Sequence, residues 1–342
     1  LASATEMAGA PLNLAIDGPI TFPTLMAHLD AWAGEDPARR DLAKLLTALA
    51  EASIPLAARL AQGGLPGDPT EVIGTNKSGD RQKALDMAAH HHFISALHGM
   101  SVARVLSEEA EEVETVDAEG RFDIAMDPID GSGSIGIGAP LGALFCVFPA
   151  GDSFLRPGRE IVAACYVSFG HSVDFGFSTG DGVAIATLDP GTGTFHVGAT
   201  GVTLRPDTST VAFNASNRRR WSRGLRRYVD DLLLGAEGPR GRDFNMRWIA
   251  AAVGDLHRIL RRGGVFLYPG DARPGYEAGF LRLAYEAFPI AYLIEQAGGT
   301  ATDGRTAILH LSPAHLHDRV PLIFGSRGEV AALCDYLTSF DE

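Results

Sequence analysis

The sequence predicts a layered α/β protein in two parts, the first built on consecutive strands and the second on strands alternating with helices. Residues 141–148, 161–169, 173–177 and 183–188 are apolar runs separated by Gly, Asp and Pro turns, which read as neighbouring strands of one sheet with few helices between them. After residue 210 the pattern changes to short apolar runs at 211–213, 264–269 and 322–325 set between helical faces, the mark of an α/β layer. Between the two parts lies the polar stretch 203–209, which contains Pro206. The predicted division is therefore an N-terminal domain over 1–205 and a C-terminal domain over 206–342.

Residues 1–40 are weakly patterned and expected to be peripheral. From Asp41, a helix is predicted by Leu42, Leu45, Leu46, Leu49, Leu56 and Leu60 at spacings near three and four. Pro55 should kink or split it, and Gly63-Gly64 with Pro66-Gly67 should end it. Asp80 is the expected cap of a second helix of about five turns that ends near Gly99. That helix carries Asp86 and then His90-His91-His92. Adjacent helical residues point about 100° apart, so three consecutive histidines cannot converge on one ion. A mixture of packed and solvated rings is expected instead.

Residues 102–106 read as a strand that delivers Ser107-Glu108-Glu109. The alternation of Phe122, Ile124 and Met126 reads as a half-buried strand, which Pro128 should stop at Asp127. In the second part, Trp221, Leu225, Tyr228, Val229 and Leu232 form one helix face, and Trp248, Ile249, Ala252, Val253, Leu256 and Ile259 another. Residues 281–297 are expected to be one long helix with Arg282 and Glu286 on a single face, capped by Gly298-Gly299.

Composition narrows the function classes. The 342 residues have a formal charge of −13, which argues against nucleic acid or an anionic membrane surface as main partner. An acidic protein that binds an anionic substrate needs metal ions and local arginines to reverse the sign. Cys146, Cys165 and Cys334 are far apart and odd in number, so buried thiols in a reducing compartment are expected, without redox control through a disulfide. No run approaches 18 uninterrupted apolar residues. The start has neither a signal-peptide order nor an initiator Met, and is read as a trimmed or partial end of a cytoplasmic enzyme.

The chemistry centres on Asp127-Pro128-Ile129-Asp130-Gly131-Ser132. Two carboxylates three residues apart on a turn suit a hard cation such as Mg²⁺. Gly131 lets the backbone come close to a ligand, and consecutive amides hold anions. Taken alone, the hexapeptide also fits an Asx-rich surface turn. Glu108 and Glu109 likewise fall where an apolar strand ends, and ligands of α/β sheets gather outside the carboxyl ends of strands. With Asp86, Asp127, Asp130 and, from the other domain, Glu286, six acids would converge. Such a cluster needs cations to stay ionised. Two or three Mg²⁺ ions would serve phosphoryl transfer. A glycosidase pair would leave the phosphate-like turn unexplained, there is no P-loop, GxSxG elbow or CxxC pair, and Gly254 and Gly263-Gly264 match no GxGxxG fingerprint.

The order of Ser107-Glu108-Glu109, the Asp127 to Ser132 turn, and Leu281-Arg282-Leu283-Ala284-Tyr285-Glu286 resembles fructose-1,6-bisphosphatase, over about residues 41–337. The short Asp-Pro-Ile-Asp-Gly turn is shared with the wider Mg²⁺-dependent, lithium-sensitive phosphatases, including inositol monophosphatase. The resemblance implies a two-domain, five-layer α-β-α-β-α sandwich, assembled as a homotetramer or homodimer. It implies that Glu108, Glu109, Asp127, Asp130, Glu286 and the Ile129 carbonyl hold Mg²⁺, with Mn²⁺ as a substitute. Asp80, Asp86 and Glu109 would lie near the attacking water, with Asp86 and Glu109 as candidates to activate it. Gly131, Ser132 and Arg282 would hold the 1-phosphate. Asn214, Tyr268 and Arg247, the last reaching from a neighbouring subunit, would hold the 6-phosphate end.

The implied activity is hydrolysis of the 1-phosphate of fructose 1,6-bisphosphate, in gluconeogenesis or the Calvin cycle. Sedoheptulose 1,7-bisphosphate is the alternative substrate. A monophosphate phosphatase and a non-catalytic sugar-phosphate-binding regulator are the other readings. The chain departs from the family pattern at Gly133, Ser134 and Gly136, at Phe280 where a Lys is expected, and at Asn217 and Trp248 where tyrosines are common. Ala43, Arg121, Phe122 and Pro149 replace the residues of a regulatory AMP site, so AMP inhibition is expected to be weak or absent.

Overall fold

Helix α1 (Leu25–Ala33) opens the computed structural model, which describes residues 20–75 and 81–341. Thr24 caps it by accepting from the Ala27 N–H. Leu25, Leu29 and Ala33, at intervals of four, form its buried face. Part of the segment expected to be peripheral is thus packed into the core. Helix α2 (Pro37–Ala61) starts four residues before Asp41, with Asp36 accepting from the Ala38 and Arg39 N–H groups and Pro37 in the first turn. Pro55 does not split it. The strands β1 (Val72–Thr75) and β2 (Arg81–Lys83) pair antiparallel before α3 (Ala84–Leu97). The second helix is shorter than expected and begins at Ala84, after Lys83. Asp80, its expected cap, lies outside the described residues.

The first sheet has eight strands: β3 (Val102–Ser107), β4 (Glu114–Thr115), β5 (Phe122–Asp130), β6 (Leu141–Pro149), β7 (Ala163–Phe169), β8 (Val173–Ser178), β9 (Val183–Asp189) and β10 (Thr194–Val202). Their order is β10-β9-β8-β7-β6-β5-β3-β4. Only β3 and β5 pair in parallel, and the other neighbours are antiparallel. The four expected strands are present, and β10, which was not expected, adds the outer edge.

Strand β5 does not stop at Asp127 but runs through Pro128 to Asp130. The reason is local. Pairing with β3 ends at Met126, and the β6 register steps from Asp127↔Leu144 to Asp130↔Gly142. Three residues against two is a bulge, where a proline costs no ladder bond.

The second sheet contains β11 (Thr210–Phe213), β12 (Asn245–Met246), β13 (Val265–Tyr268), β15 (Thr300–Thr302) and β17 (Leu322–Gly325), in the order β12-β11-β13-β17-β15. A two-stranded ladder of β14 (Leu281–Arg282) with β16 (Arg319–Val320) stands beside it. The helices are α4 (Arg223–Leu233), α5 (Ala252–Arg262), α6 (Phe288–Gln296) and α7 (Arg327–Phe340). Trp248 and Ile249 precede α5 instead of extending its face.

The expected helix over 281–297 is three pieces: β14, a π-helical turn over Leu283–Ala287, then α6. Pro289 has no N–H for a regular helical bond back to Tyr285, which favours the wider turn there. Gly298 ends α6 with φ +78°, as the Gly-Gly cap predicts.

Three cores define five layers. One lies between α1–α3 and a face of the first sheet. The largest packs α5 and α6 between the two sheets. The third holds α4 and α7 on the outer face of the second sheet. Cys146 and Cys165 belong to cores on opposite faces of the first sheet, and all three cysteines are free thiols. No helix of the described residues is long and apolar enough to cross a membrane.

Candidate active site

The bulge that ends β5 builds the site. The Ile129 N–H donates to Asp127 Oδ1 at 3.0 Å, which turns the chain over Pro128 and sends Asp127 and Asp130 inward. Gly131 follows with φ +81°, a left-handed conformation that glycine adopts without strain, and opens a short turn over Ser132–Ser134. A Cβ on Gly131 would sit 2.6 Å from the Ala251 Cβ. The turn therefore lies directly against the N-terminus of α5, where the Val253 N–H donates to Asp130 Oδ2 at 2.6 Å.

We expect Gly131→Ala to lower stability by about 1–3 kcal/mol through left-handed strain and this clash, and to lower kcat by shifting Asp130. A thermal melt and a turnover assay check it. Ala250 presents the reverse case. It is a non-glycine residue at φ +70°, so Ala250→Gly should gain stability, read in the same melt.

Glu286 comes from the π-helical turn, where its Oε2 accepts from the Arg282 N–H at 2.5 Å. Oxygens of Asp127, Asp130 and Glu286 all lie within 4.8 Å of one another, and the three residues are buried. Burial first, then the charges of Glu108, Asp130 and Glu286, hold Asp127 well above the usual carboxylate range. Burial, opposed by the Val253 N–H, puts Asp130 at about 7. Burial and then Glu108 raise Glu286 likewise. Four carboxylates packed this tightly cannot all ionise without cations among them. The donor set is all oxygen, which suits Mg²⁺ or Mn²⁺.

A cavity of about 540 Å³ opens from this cluster. It brings together Glu108, Asp127, Ile129, Asp130, Gly131, Ser132, Tyr268, Arg282 and Glu286, nine of the sequence-predicted site residues. Arg282 is buried, and its Nη1 donates to the His317 carbonyl at 3.1 Å.

Asp86, Glu109, Asn214 and Arg247 do not line the cavity. Asp86 is buried in the first turn of α3 with one carboxylate oxygen lacking a partner. Burial raises it to about 6, against the pull of Lys83. The Lys83 ammonium in turn donates to the Ser132 carbonyl, which joins Asp86 to the Gly131 turn. Asn214 caps its own turn by accepting from Ser216, and with Tyr268 it lines a small hollow beside the cavity. Arg247 is exposed, and its guanidinium donates to the Met246 carbonyl.

Some supporting residues escaped the sequence reading. His90 is buried, Nδ1 against Ser107 Oγ at 2.9 Å and Nε2 against Glu114 at 2.9 Å, while His91 and His92 are exposed. His90 thus orders the Ser107-Glu108-Glu109 corner instead of holding an ion. Asp255 is buried; its Oδ2 accepts from the Ile249 N–H, and Arg258 pairs with its Oδ1, fixing the loop that carries Ala250. Arg319 also lines the cavity.

Two family models match the chain in succession: fructose-1-6-bisphosphatase N-terminal domain over residues 28–199, and fructose-1-6-bisphosphatase C-terminal domain over 204–338. A class 1 fructose-1,6-bisphosphatase of Brucella anthropi is 51% identical over 312 residues, which are 91% of this chain and 92% of that protein. One of Brucella suis is 49% identical over 330 residues, 96% of this chain and 97% of that protein. Among solved structures, Leishmania major fructose-1,6-bisphosphatase in holo form superposes with a TM-score of 0.86 at 29% identity, covering 94% of this chain and 100% of that one.

Proposed function

The chain belongs to the fructose-1,6-bisphosphatase family, and we propose that it removes the 1-phosphate of fructose 1,6-bisphosphate with Mg²⁺, yielding fructose 6-phosphate and inorganic phosphate. The observation that carries this reading is the buried triad of Asp127, Asp130 and Glu286, within 4.8 Å of one another in a cavity that also holds Arg282 and the Gly131 turn. Glu108, Glu109 and the Ile129 carbonyl join the triad in holding two or three Mg²⁺ ions, or Mn²⁺ in their place. When bound, the cations neutralise the phosphate and favour departure of the sugar oxygen.

The chain's own residues do the rest. The Gly131 and Ser132 amides and the Arg282 guanidinium orient the 1-phosphate. Asp86, lifted to about 6 by burial, has the basicity to take a proton from the attacking water near neutral pH. Glu109 stands beside Ser107, with its N–H on Ser107 Oγ, as the second candidate for that role, and Asp80 is the third acid of this group. Tyr268 and Asn214 receive the 6-phosphate end, and the exposure of Arg247 suits a residue that reaches a neighbouring subunit of a homotetramer or homodimer. The division into domains at 205/206 falls between β10 and β11. The setting proposed is cytoplasmic sugar metabolism, in gluconeogenesis or the Calvin cycle.

The test is phosphate release from fructose 1,6-bisphosphate and sedoheptulose 1,7-bisphosphate with Mg²⁺ and with chelator. Metal-dependent release, faster for the fructose ester, is expected. An inert protein with both esters would overturn the reading.

AMP should have no effect at micromolar concentration. The Arg121 side chain is tied to Asp41 at 3.0 Å, Ala43 and Phe122 are buried, and Pro149 brings no cation. A clear fall in activity with micromolar AMP would contradict this.

A further inference from the structure

His317 does not line the cavity, yet it touches the substrate arginine, the π-helical turn and the acidic loop. It lies in the turn that leads into β16. Asp318 fixes that turn, its Oδ2 accepting from the Ala314 N–H at 2.7 Å and from the His315 N–H at 2.9 Å. The Leu283 N–H donates to the Asp318 carbonyl at 2.8 Å, which ties the turn to the start of the π-helical segment.

From this platform the backbone and the ring of His317 reach different partners. Its carbonyl accepts from Arg282 Nη1 at 3.1 Å. On the ring, Nδ1 lies 3.0 Å from the Tyr285 hydroxyl and Nε2 lies 3.4 Å from the Glu111 carbonyl. One neutral tautomer satisfies both contacts. A carbonyl only accepts, so Nε2 carries the proton and donates, and Nδ1 accepts from the phenol. Burial holds the ring below the usual imidazole range, which favours that neutral form.

The two partners belong to different parts of the chain. Tyr285 is buried and precedes Glu286 on the π-helical turn. Glu111 stands two residues beyond Glu109 in the loop that joins β3 to β4. The first residues of that loop are bonded to their own strand end, the Glu108 N–H to the Met126 carbonyl and the Ala110 N–H to the Ser107 carbonyl. Just beyond, at Glu111, the His317 ring meets it from the other side of the site.

We infer that His317 is a positioning residue that clasps the loop carrying Glu108 and Glu109 to the turn carrying Glu286, so that these acids are held together for metal. The inference rests on the proposed reading in which they bind Mg²⁺. Ligands spread over separate segments must be ordered when the ion binds, and a restraint made beforehand lowers that cost. The ring's partners are a phenol and a backbone carbonyl, so the clasp itself occupies no carboxylate oxygen. The hold on Arg282 is made by the backbone carbonyl and survives any side-chain replacement. Metal binding and substrate binding should therefore respond differently.

The test compares wild type with His317→Ala, His317→Gln and His317→Asn. The Gln amide reaches about as far as Nε2, and the Asn amide about as far as Nδ1. Mn²⁺ binding, read without substrate from the electron paramagnetic resonance signal of the free ion, should weaken roughly 3- to 10-fold in His317→Ala, the loss of neutral hydrogen bonds. His317→Gln should bind Mn²⁺ nearly as wild type does, and His317→Asn no better than His317→Ala. With saturating Mg²⁺, KM for fructose 1,6-bisphosphate should stay within about twofold of wild type in all of them.

Unchanged Mn²⁺ affinity in His317→Ala overturns the inference and leaves the phosphatase reading standing. So does a His317→Asn that recovers as fully as His317→Gln, because the tie to Glu111 is then not what matters. A KM that rises in step with the loss of Mn²⁺ would place His317 with the substrate and overturn it as well. If His317→Ala does not fold, the Gln and Asn variants decide by the same comparison. A wild type that binds no Mn²⁺ overturns the underlying reading, and the inference with it.

Discussion

Asp127→Asn should abolish turnover, with kcat down by roughly 10³-fold or more, the scale on which a single preorganised electrostatic group acts. It should also do something that a merely damaged protein would not. Asp127 is surrounded by Glu108, Asp130 and Glu286 in a buried cluster, so metal-free wild type carries mutual repulsion that folding must overcome. The amide has the shape of the carboxylate and none of its charge. Without metal at pH 8, Asp127→Asn should therefore melt above wild type. Added Mg²⁺ should raise the melting temperature of wild type strongly and that of Asp127→Asn little. Turnover and a melting series with and without Mg²⁺ read both effects. If the variant retains more than a tenth of wild-type activity, the buried triad is not the metal centre. A variant that melts lower without metal and responds fully to Mg²⁺ would lead to the same conclusion.

How much of this was legible in the sequence follows from which forces are local. The acids at the ends of β3 and β5 could be placed because strand termination is written in neighbouring residues: an apolar alternation, then a polar pair, then Gly131. The five-layer order and the substrate class came from family resemblance, not from periodicity. Helix α1 was missed although Leu25, Leu29 and Ala33 repeat at four, because three apolar positions in nine residues are a short signal.

The failure at Pro128 is instructive. The rule that proline ends a central strand is sound, but whether a strand is central at a given residue depends on where β3 stops pairing, which no local pattern records. The π-helical turn at Leu283–Ala287 escaped for a similar reason. Spacing puts Arg282 and Glu286 on one helix face, whereas the ladder with Arg319 pulls Arg282 into extended conformation and leaves Glu286 to reach back to its N–H. Arg319 itself gave no signal, since it meets the cavity through pairing across 37 residues of sequence.

The second large effect concerns Asp86, where stability and function should move in opposite directions. Its carboxyl is buried with one oxygen unpartnered and sits at about 6, against about 3.9 in an unfolded chain. A group raised in this way favours the folded state fully below the unfolded value. That contribution is lost as pH climbs through about 6, because the folded protein must then ionise a desolvated acid. The two-unit gap corresponds to at most about 3 kcal/mol. Metal-free Asp86→Asn cannot ionise, so it should unfold at higher urea than wild type at pH 8 and show no such advantage at pH 4.

The same ionisation makes the residue useful. A carboxylate disfavoured by its surroundings is a stronger base, so wild-type kcat/KM should fall on the acid side with an apparent pKa near 6. Asp86→Asn should lose that limb together with roughly 10²- to 10⁴-fold in rate. Urea titrations at the two pH values and a pH–rate profile decide the matter. A variant with wild-type turnover would remove Asp86 from the chemistry and pass the role to Glu109. One with no gain in stability at pH 8 would mean that Lys83, which already lowers the Asp86 pKa, offsets its burial in full.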